Sequence, residues 1–133
     1  MYIKSFKELI VWQKSIYLVQ EVYRFTEEFP QEERYGLVSQ MRRAAVSIPS
    51  NIAEGSRRKD LPEYLHFLRI ADASSAELET QIVIAKRLYP KLLHAAVETL
   101  LDEVQRMLYG MLAALQTKMS NNRQNVKKQN REV

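Results

Sequence analysis

Glu63 and His66 stand at a spacing that metal chemistry uses. On a helix, Glu-x-x-His puts both side chains on one face, as the di-iron carboxylate bundles require. Such a centre also needs a second pair of the same kind, and none exists. The other histidine, His94, has Lys91 three residues before it rather than a glutamate. Glu63 has a simpler use as the return partner of a helix cap. With no cysteine in the chain, disulfides and thiolate metal sites are excluded. The expectation is therefore no metal.

Covalent catalysis finds no better footing. The serines occur without a nearby histidine and without the G-x-S-x-G turn that exposes a nucleophile. There is no phosphate loop and no glycine-rich dinucleotide fingerprint. Asp72, Glu77 and Glu79 are carboxylates along one helix of mixed charge, which suffices to explain them. The expectation is a protein that is not an enzyme and takes no cofactor.

What remains is positive charge in clusters: Arg42 and Arg43, then Arg57, Arg58 and Lys59, then Lys86 and Arg87 with Lys91 beyond them. The planar fork of arginine suits phosphate and carboxylate alike. One reading makes these residues a footprint for a nucleic-acid backbone. The other makes them surface charge plus one or two internal salt bridges. No aromatic lies among them along the chain, so stacking of single-strand bases is not indicated. Gln40, Arg43, Ser47, Asn51 and Glu54 recur at spacings of three or four and form one polar row on a helix. This row reads as partly buried and structural, with Glu77 the expected partner of Arg43 across a helix pair.

The elements that must position these residues are all helical. The first helix is expected from about Phe6 to Phe29, opened by a Ser5–Glu8 capping box and ended by Pro30. It carries two apolar stripes, one through Leu9, Trp12, Ile16, Val19 and Tyr23, the other through Val11, Tyr17, Leu18, Val22, Phe25 and Phe29. Either it lies deep within one bundle, or one arc faces the core and the other a second subunit. The second helix, about Arg34 to Ser56, buries Leu37, Met41, Ala44, Ala45, Ile48 and Ile52. Pro49 removes a backbone donor and should kink it, and Gly55 offers a left-handed residue to end it.

Asp60, Pro62 and Glu63 then open a third helix that reaches about Leu88. Its run Ala71–Asp72–Ala73–Ser74–Ser75–Ala76 is unusually small, like Ala44, Ala45 and Ser47 on the second helix. Small residues on successive helices predict close packing between them. Pro90 breaks the chain before a fourth helix, about Lys91 to Met119, whose stripe runs from Leu93 through Val97, Leu100, Val104 and Met111 to Leu115. The fold class is all-α, an antiparallel up-down four-helix bundle over residues 1–119. Residues 120–133 are expected to be a basic disordered tail.

The chain of 133 residues has 20 Lys and Arg against 16 Asp and Glu. Five of those cations and one carboxylate fall within 118–133, so the rest of the chain is balanced at fifteen of each. The basic character belongs to the tail, which reads either as a salt-sensitive attraction to polyanions or as a solvated end. The opening residues show no signal-peptide pattern, and no stretch approaches the roughly 20 apolar residues that span a bilayer. A cytoplasmic protein with no membrane role is expected.

Three segments go further. VWQKS at 11–15, FPQEERYGLVSQMRRAAVSIPSNIAEGSRR at 29–58 and AELETQIVIAKRL at 76–88 closely resemble the bacterial four-helix bundle family. That family includes the proteins encoded in intervening sequences of 23S rRNA genes, and the accessory variability protein of diversity-generating retroelements looks like a relative. The resemblance covers most of residues 6–115 and implies a four-helix subunit that assembles as a homopentamer. For the retroelement relative it also implies binding to nucleic acid and to a reverse transcriptase, carried here onto Arg42, Arg43, Arg57 and Arg58. The leading expectation is a non-enzymatic homo-oligomer that binds RNA or DNA backbone weakly. The rival is a structural or protein-interaction scaffold with no nucleic-acid role.

Overall fold

Proline and glycine are scarce, with three glycines and four prolines in the chain, so it has room for four long helices. The structure, a computed structural model, describes residues 5–132; residues 1–4 and 133, the outer ends of the two expected segments, lie outside it. The helices are α1 (Ile10–Glu27), α2 (Leu37–Ser56), α3 (Leu61–Leu88) and α4 (Ala95–Glu132), with short 3-10 turns at Phe6–Glu8 and Gln31–Glu33. No strand occurs among the described residues. Backbones approach within 8 Å in the pairs α1–α2, α2–α3, α3–α4 and α4–α1, and among the described residues in neither diagonal pair, which is the ring of a four-helix bundle.

The core is the inner face of each helix. Leu18, Met41, Ile48, Ile52, Leu65, Leu68, Leu78, Val104 and Leu108 are fully buried. The expected core of α2, from Leu37 to Ile52, is buried throughout, as are Leu68, Ala71, Leu78, Ile82 and Ala85 on α3. The two stripes of α1 separate by depth. Val11, Leu18, Val22, Phe25 and Phe29 of the second are buried, whereas Leu9, Trp12, Ile16 and Val19 of the first are half-buried; Tyr17 of the second and Tyr23 of the first are exposed. No described helix is long and apolar enough to cross a membrane.

Close packing of α2 on α3 is seen directly. The Ser47 and Ser74 hydroxyls share a hydrogen bond of 2.8 Å between the two helices. A Cβ placed on Gly55 would lie 2.9 Å from the Phe67 Cβ and 3.2 Å from Tyr64, so only glycine fits there. This corrects the expected role of Gly55: no described glycine has positive φ, and Gly55 serves close approach rather than a left-handed cap. Pro49 is buried within α2, which continues through it to Ser56.

Several boundaries differ from expectation, each for a local reason. Ser5 does cap, but it accepts from the Lys7 N–H and opens a 3-10 turn, and α1 begins only at Ile10. The Glu33 carboxylate accepts from the Leu37 N–H at 3.3 Å, so α2 starts after Gly36 instead of at Arg34. Asp60 caps α3 as expected, accepting from the Glu63 N–H at 2.8 Å. After Pro90 the chain makes a turn, closed by the Leu92 N–H donating to the Tyr89 carbonyl, before α4 starts at Ala95. Leu93, expected in the apolar stripe, falls in that turn and is 93% exposed.

The largest difference is at the other end. Residues 120–132, expected as a disordered tail, continue α4 as helix, and every one of them is exposed. Adding residues to an existing helix avoids the nucleation cost, and no Gly or Pro follows Gly110. Composition alone shows that these residues bury nothing; it does not show that a packed helix upstream carries them.

Candidate nucleic-acid interface

α1 and α2 pack side by side and leave an open groove of about 620 Å³ between them, reaching back to the turn before α2. Three arginines line it: Arg34 from that turn, and Arg42 and Arg43 from α2. Two tyrosines line it as well, Tyr23 of α1 and Tyr35 of the turn, with Val38 and Val46 between the polar groups. No carboxylate is among the lining residues.

Arg42 is held in place by α1. Its Nε–H donates to the Thr26 hydroxyl at 3.0 Å, and a terminal N–H reaches the Tyr23 carbonyl at 3.5 Å. The Thr26 hydroxyl in turn donates to the Val22 carbonyl at 2.7 Å, so this buried threonine is satisfied in both roles. The Arg42 guanidinium also lies 4.4 Å from the centre of the Tyr23 ring, within cation–π range. These bonds use two of the five guanidinium N–H donors, and three remain. Arg34 lies 5.7 Å from the centre of the Tyr35 ring. Among the described residues, Arg34, Arg42 and Arg43 have no carboxylate within 4.0 Å.

The other expected cations are elsewhere. Arg57, Arg58 and Lys59 are at the turn between α2 and α3, and Lys86 and Arg87 are near the far end of α3. Those two ends are roughly 42 Å apart, at 1.5 Å per residue over the 28 residues of α3. Arg58 already pairs with Glu54 at 2.5 Å and lies 4.9 Å from the centre of the Phe67 ring. Lys86 pairs with Glu98 of α4 at 2.9 Å. Arg57, Lys59 and Arg87 are exposed and take no part in the ion pairs of the described residues. The seven cations thus form three separate clusters.

The polar row of α2 is wetter than expected. Ser47 and Asn51 are half-buried and bonded to each other, the Asn51 amide donating to the Ser47 carbonyl at 2.8 Å and to its hydroxyl at 3.0 Å. Gln40, Arg43 and Glu54 are exposed. The expected Arg43–Glu77 pair does not form; Glu77 instead accepts from the Gln81 amide at 3.3 Å, one turn along its own helix. Both partners are exposed, so water satisfies Arg43 and no buried charge demands a pair.

Aromatic rings do stand among the cations, against the expectation from linear order. Tyr23 is nineteen residues from Arg42 and meets it only because α1 packs on α2. Tyr35 is adjacent to Arg34 in sequence, and that dipeptide is the one legible signal that a ring joins the arginines of the groove. Among the described residues no group of three or more His, Cys, Asp or Glu could hold a metal ion.

No curated protein matches the chain. Among solved structures, a protein of unknown function from the S23 ribosomal protein family of Bacteroides thetaiotaomicron superposes with a TM-score of 0.69. It is 18% identical, and the match covers 77% of this chain and 98% of that one, a likeness of fold. The model of the 23S rRNA-intervening sequence proteins matches residues 7–110, and with the four-helix ring this places the chain in the 23S rRNA-intervening sequence protein family.

Proposed function

We propose that the protein is a non-enzymatic, homo-oligomeric helical bundle of the cytoplasm that binds RNA or DNA backbone weakly through its basic surface. The observation that carries this reading is the α1–α2 groove, where three arginines converge with no carboxylate among the lining residues. Uncompensated arginines on one surface attract phosphate and release its counterions, which gives affinity without sequence preference. Arg57 and Lys59, and Arg87 at the far end, extend the positive surface at separate points. The half-buried stripe of α1, through Leu9, Trp12, Ile16 and Val19, supports a subunit contact, and the assembly expected from the resemblance is a ring of five. A reverse transcriptase is a partner to test where the gene stands beside one.

Filter binding against salt tests the reading. Log K should fall linearly with log salt, by about 0.9 for each duplex phosphate neutralised. Absence of binding near about 50 mM salt overturns it. Removing residues 118–133 then separates the tail from the groove.

A scaffold with no nucleic-acid role is the second reading. It is favoured by cations already spent between helices: Lys14 on Glu103 at 3.2 Å and Lys86 on Glu98 at 2.9 Å. Under it, the salt titration finds no nucleic-acid affinity while sedimentation still finds an oligomer.

A further inference from the structure

Phosphate attraction accounts for the arginines of the groove but not for its tyrosines. Tyr35 is 88% exposed, far more than a large aromatic ring ordinarily is. Its backbone is nonetheless held. The Gly36 N–H donates to the Glu33 carbonyl at 3.1 Å, and the Glu33 carboxylate accepts from Leu37 at 3.3 Å. A ring on a braced turn loses little freedom when something packs against it. Tyr23 already has the Arg42 guanidinium over its ring, while Tyr35 has only the flexible Arg34 at 5.7 Å. The groove therefore presents one accessible π-face in a lining that also holds Arg42 and Arg43, and Arg42 is fixed by Thr26.

We propose that this groove seats an unpaired nucleotide, whose base stacks on Tyr35 while Arg42 and Arg43 hold its flanking phosphates, so that the chain prefers single-stranded nucleic acid to duplex. The inference rests on the nucleic-acid reading above and gives it a substrate form. In a duplex each internal base face is covered by its neighbours, so the helix offers phosphates and groove edges but no π-face to stack on. A single strand can turn a base outward, and base–aromatic stacking tolerates any base because each has a π-face. Val38 and Val46 provide an apolar floor suited to a sugar or base edge, which a purely phosphate-directed surface does not need. An acidic or phosphorylated peptide would satisfy the arginines but leave the exposed ring unused, so the nucleotide is favoured.

The test uses the full chain and a labelled homopolymeric oligonucleotide of about a dozen residues, offered as a single strand and as a duplex, with fluorescence anisotropy at low salt. The single strand should bind at least about tenfold more tightly, the scale of one base–aromatic stack. Tyr35→Ala should abolish that preference and Tyr35→Phe should keep it. Because the side chain is exposed, neither change touches the core, and circular dichroism confirms the fold. Arg43→Gln should weaken both forms and lower the salt slope by about one contact. Equal affinity for strand and duplex, or a strand preference that survives Tyr35→Ala, overturns the stacking seat and leaves phosphate binding standing. No binding of either form overturns both readings. Displacement of the oligonucleotide by a phosphopeptide of equal charge at equal concentration overturns the nucleotide assignment in favour of a peptide site.

Discussion

α2 meets α3 on one side and opens onto the groove on another, and the two sides are built differently. Toward α3 it offers Ser47 and Gly55, a hydroxyl already bonded across the seam and a residue with no side chain at all. Toward the groove it offers Arg42 and Arg43, long side chains with N–H donors to spare. At the seam the Ser47 and Ser74 hydroxyls satisfy one another and the space beside Gly55 is filled, which is what stability requires. The groove leaves donors, charge and an aromatic ring open to water, which adds nothing to stability and is suited to a partner. A residue's worth to the molecule should therefore depend on which side it serves.

The largest effects belong to the packed side. Leu68 of α3 is fully buried in the core. Leu68→Ala should lower unfolding free energy by about 2–5 kcal/mol in urea, since removed methyl groups leave a cavity that the bundle only partly closes. If the loss were under about 1 kcal/mol, the seam would not be the rigid side of the comparison.

Two glycines sharpen it further. In an open helix, Gly to Ala gains up to about 1 kcal/mol from propensity. A Cβ on Gly110 of α4 would meet nothing within 4 Å, so Gly110→Ala should gain about that amount. Gly55→Ala makes the same chemical change against a Phe67 Cβ at 2.9 Å. Overpacking of this kind costs roughly 1–3 kcal/mol, so the sign should reverse and the melting temperature should fall. Equal stabilisation by both substitutions would show that α2 and α3 can separate freely.

The fold is legible in the sequence because a bundle writes its core into a 3.6-residue period. That period alone puts Leu37, Met41, Ala44, Ala45, Ile48 and Ile52 inside α2, and small residues on two helices point to the α2–α3 seam. Boundaries are less legible, since Glu33 capping Leu37 and the Tyr89–Leu92 turn depend on side-chain and backbone bonds that no periodicity shows. The groove is legible only by half. Arg42 and Arg43 are visible as charge, but Tyr23 joins them through packing between α1 and α2. Arg58 and Lys86 look alike as charge in sequence; Glu54 stands four residues before Arg58, but Glu98 meets Lys86 only because α4 packs on α3.

The smallest effect comes from one of those satisfied cations, and it draws the line between paired and open charge. Lys86 beside Glu98 holds that carboxyl below its usual value near 4.5, with His94 adding to the effect and partial burial opposing it. A lowered folded-state pKa contributes stability above the ordinary value and loses it as pH falls through the folded one. Glu98→Gln should therefore cost something at about pH 7 and less at about pH 3, as the lowered carboxyl gains its proton. The cost should stay under about 1 kcal/mol, because both side chains are about 40% exposed and water screens the pair. Urea titrations of the two proteins at the two pH values check it. Oligonucleotide affinity gives the complementary readout: Lys86→Met should leave it nearly unchanged, because Glu98 already neutralises that cation, while Arg43→Gln lowers it. If Lys86→Met weakened binding as much as Arg43→Gln, an ion pair at the α3–α4 contact would be no barrier to phosphate, and the groove would lose its distinction from the rest of the basic surface.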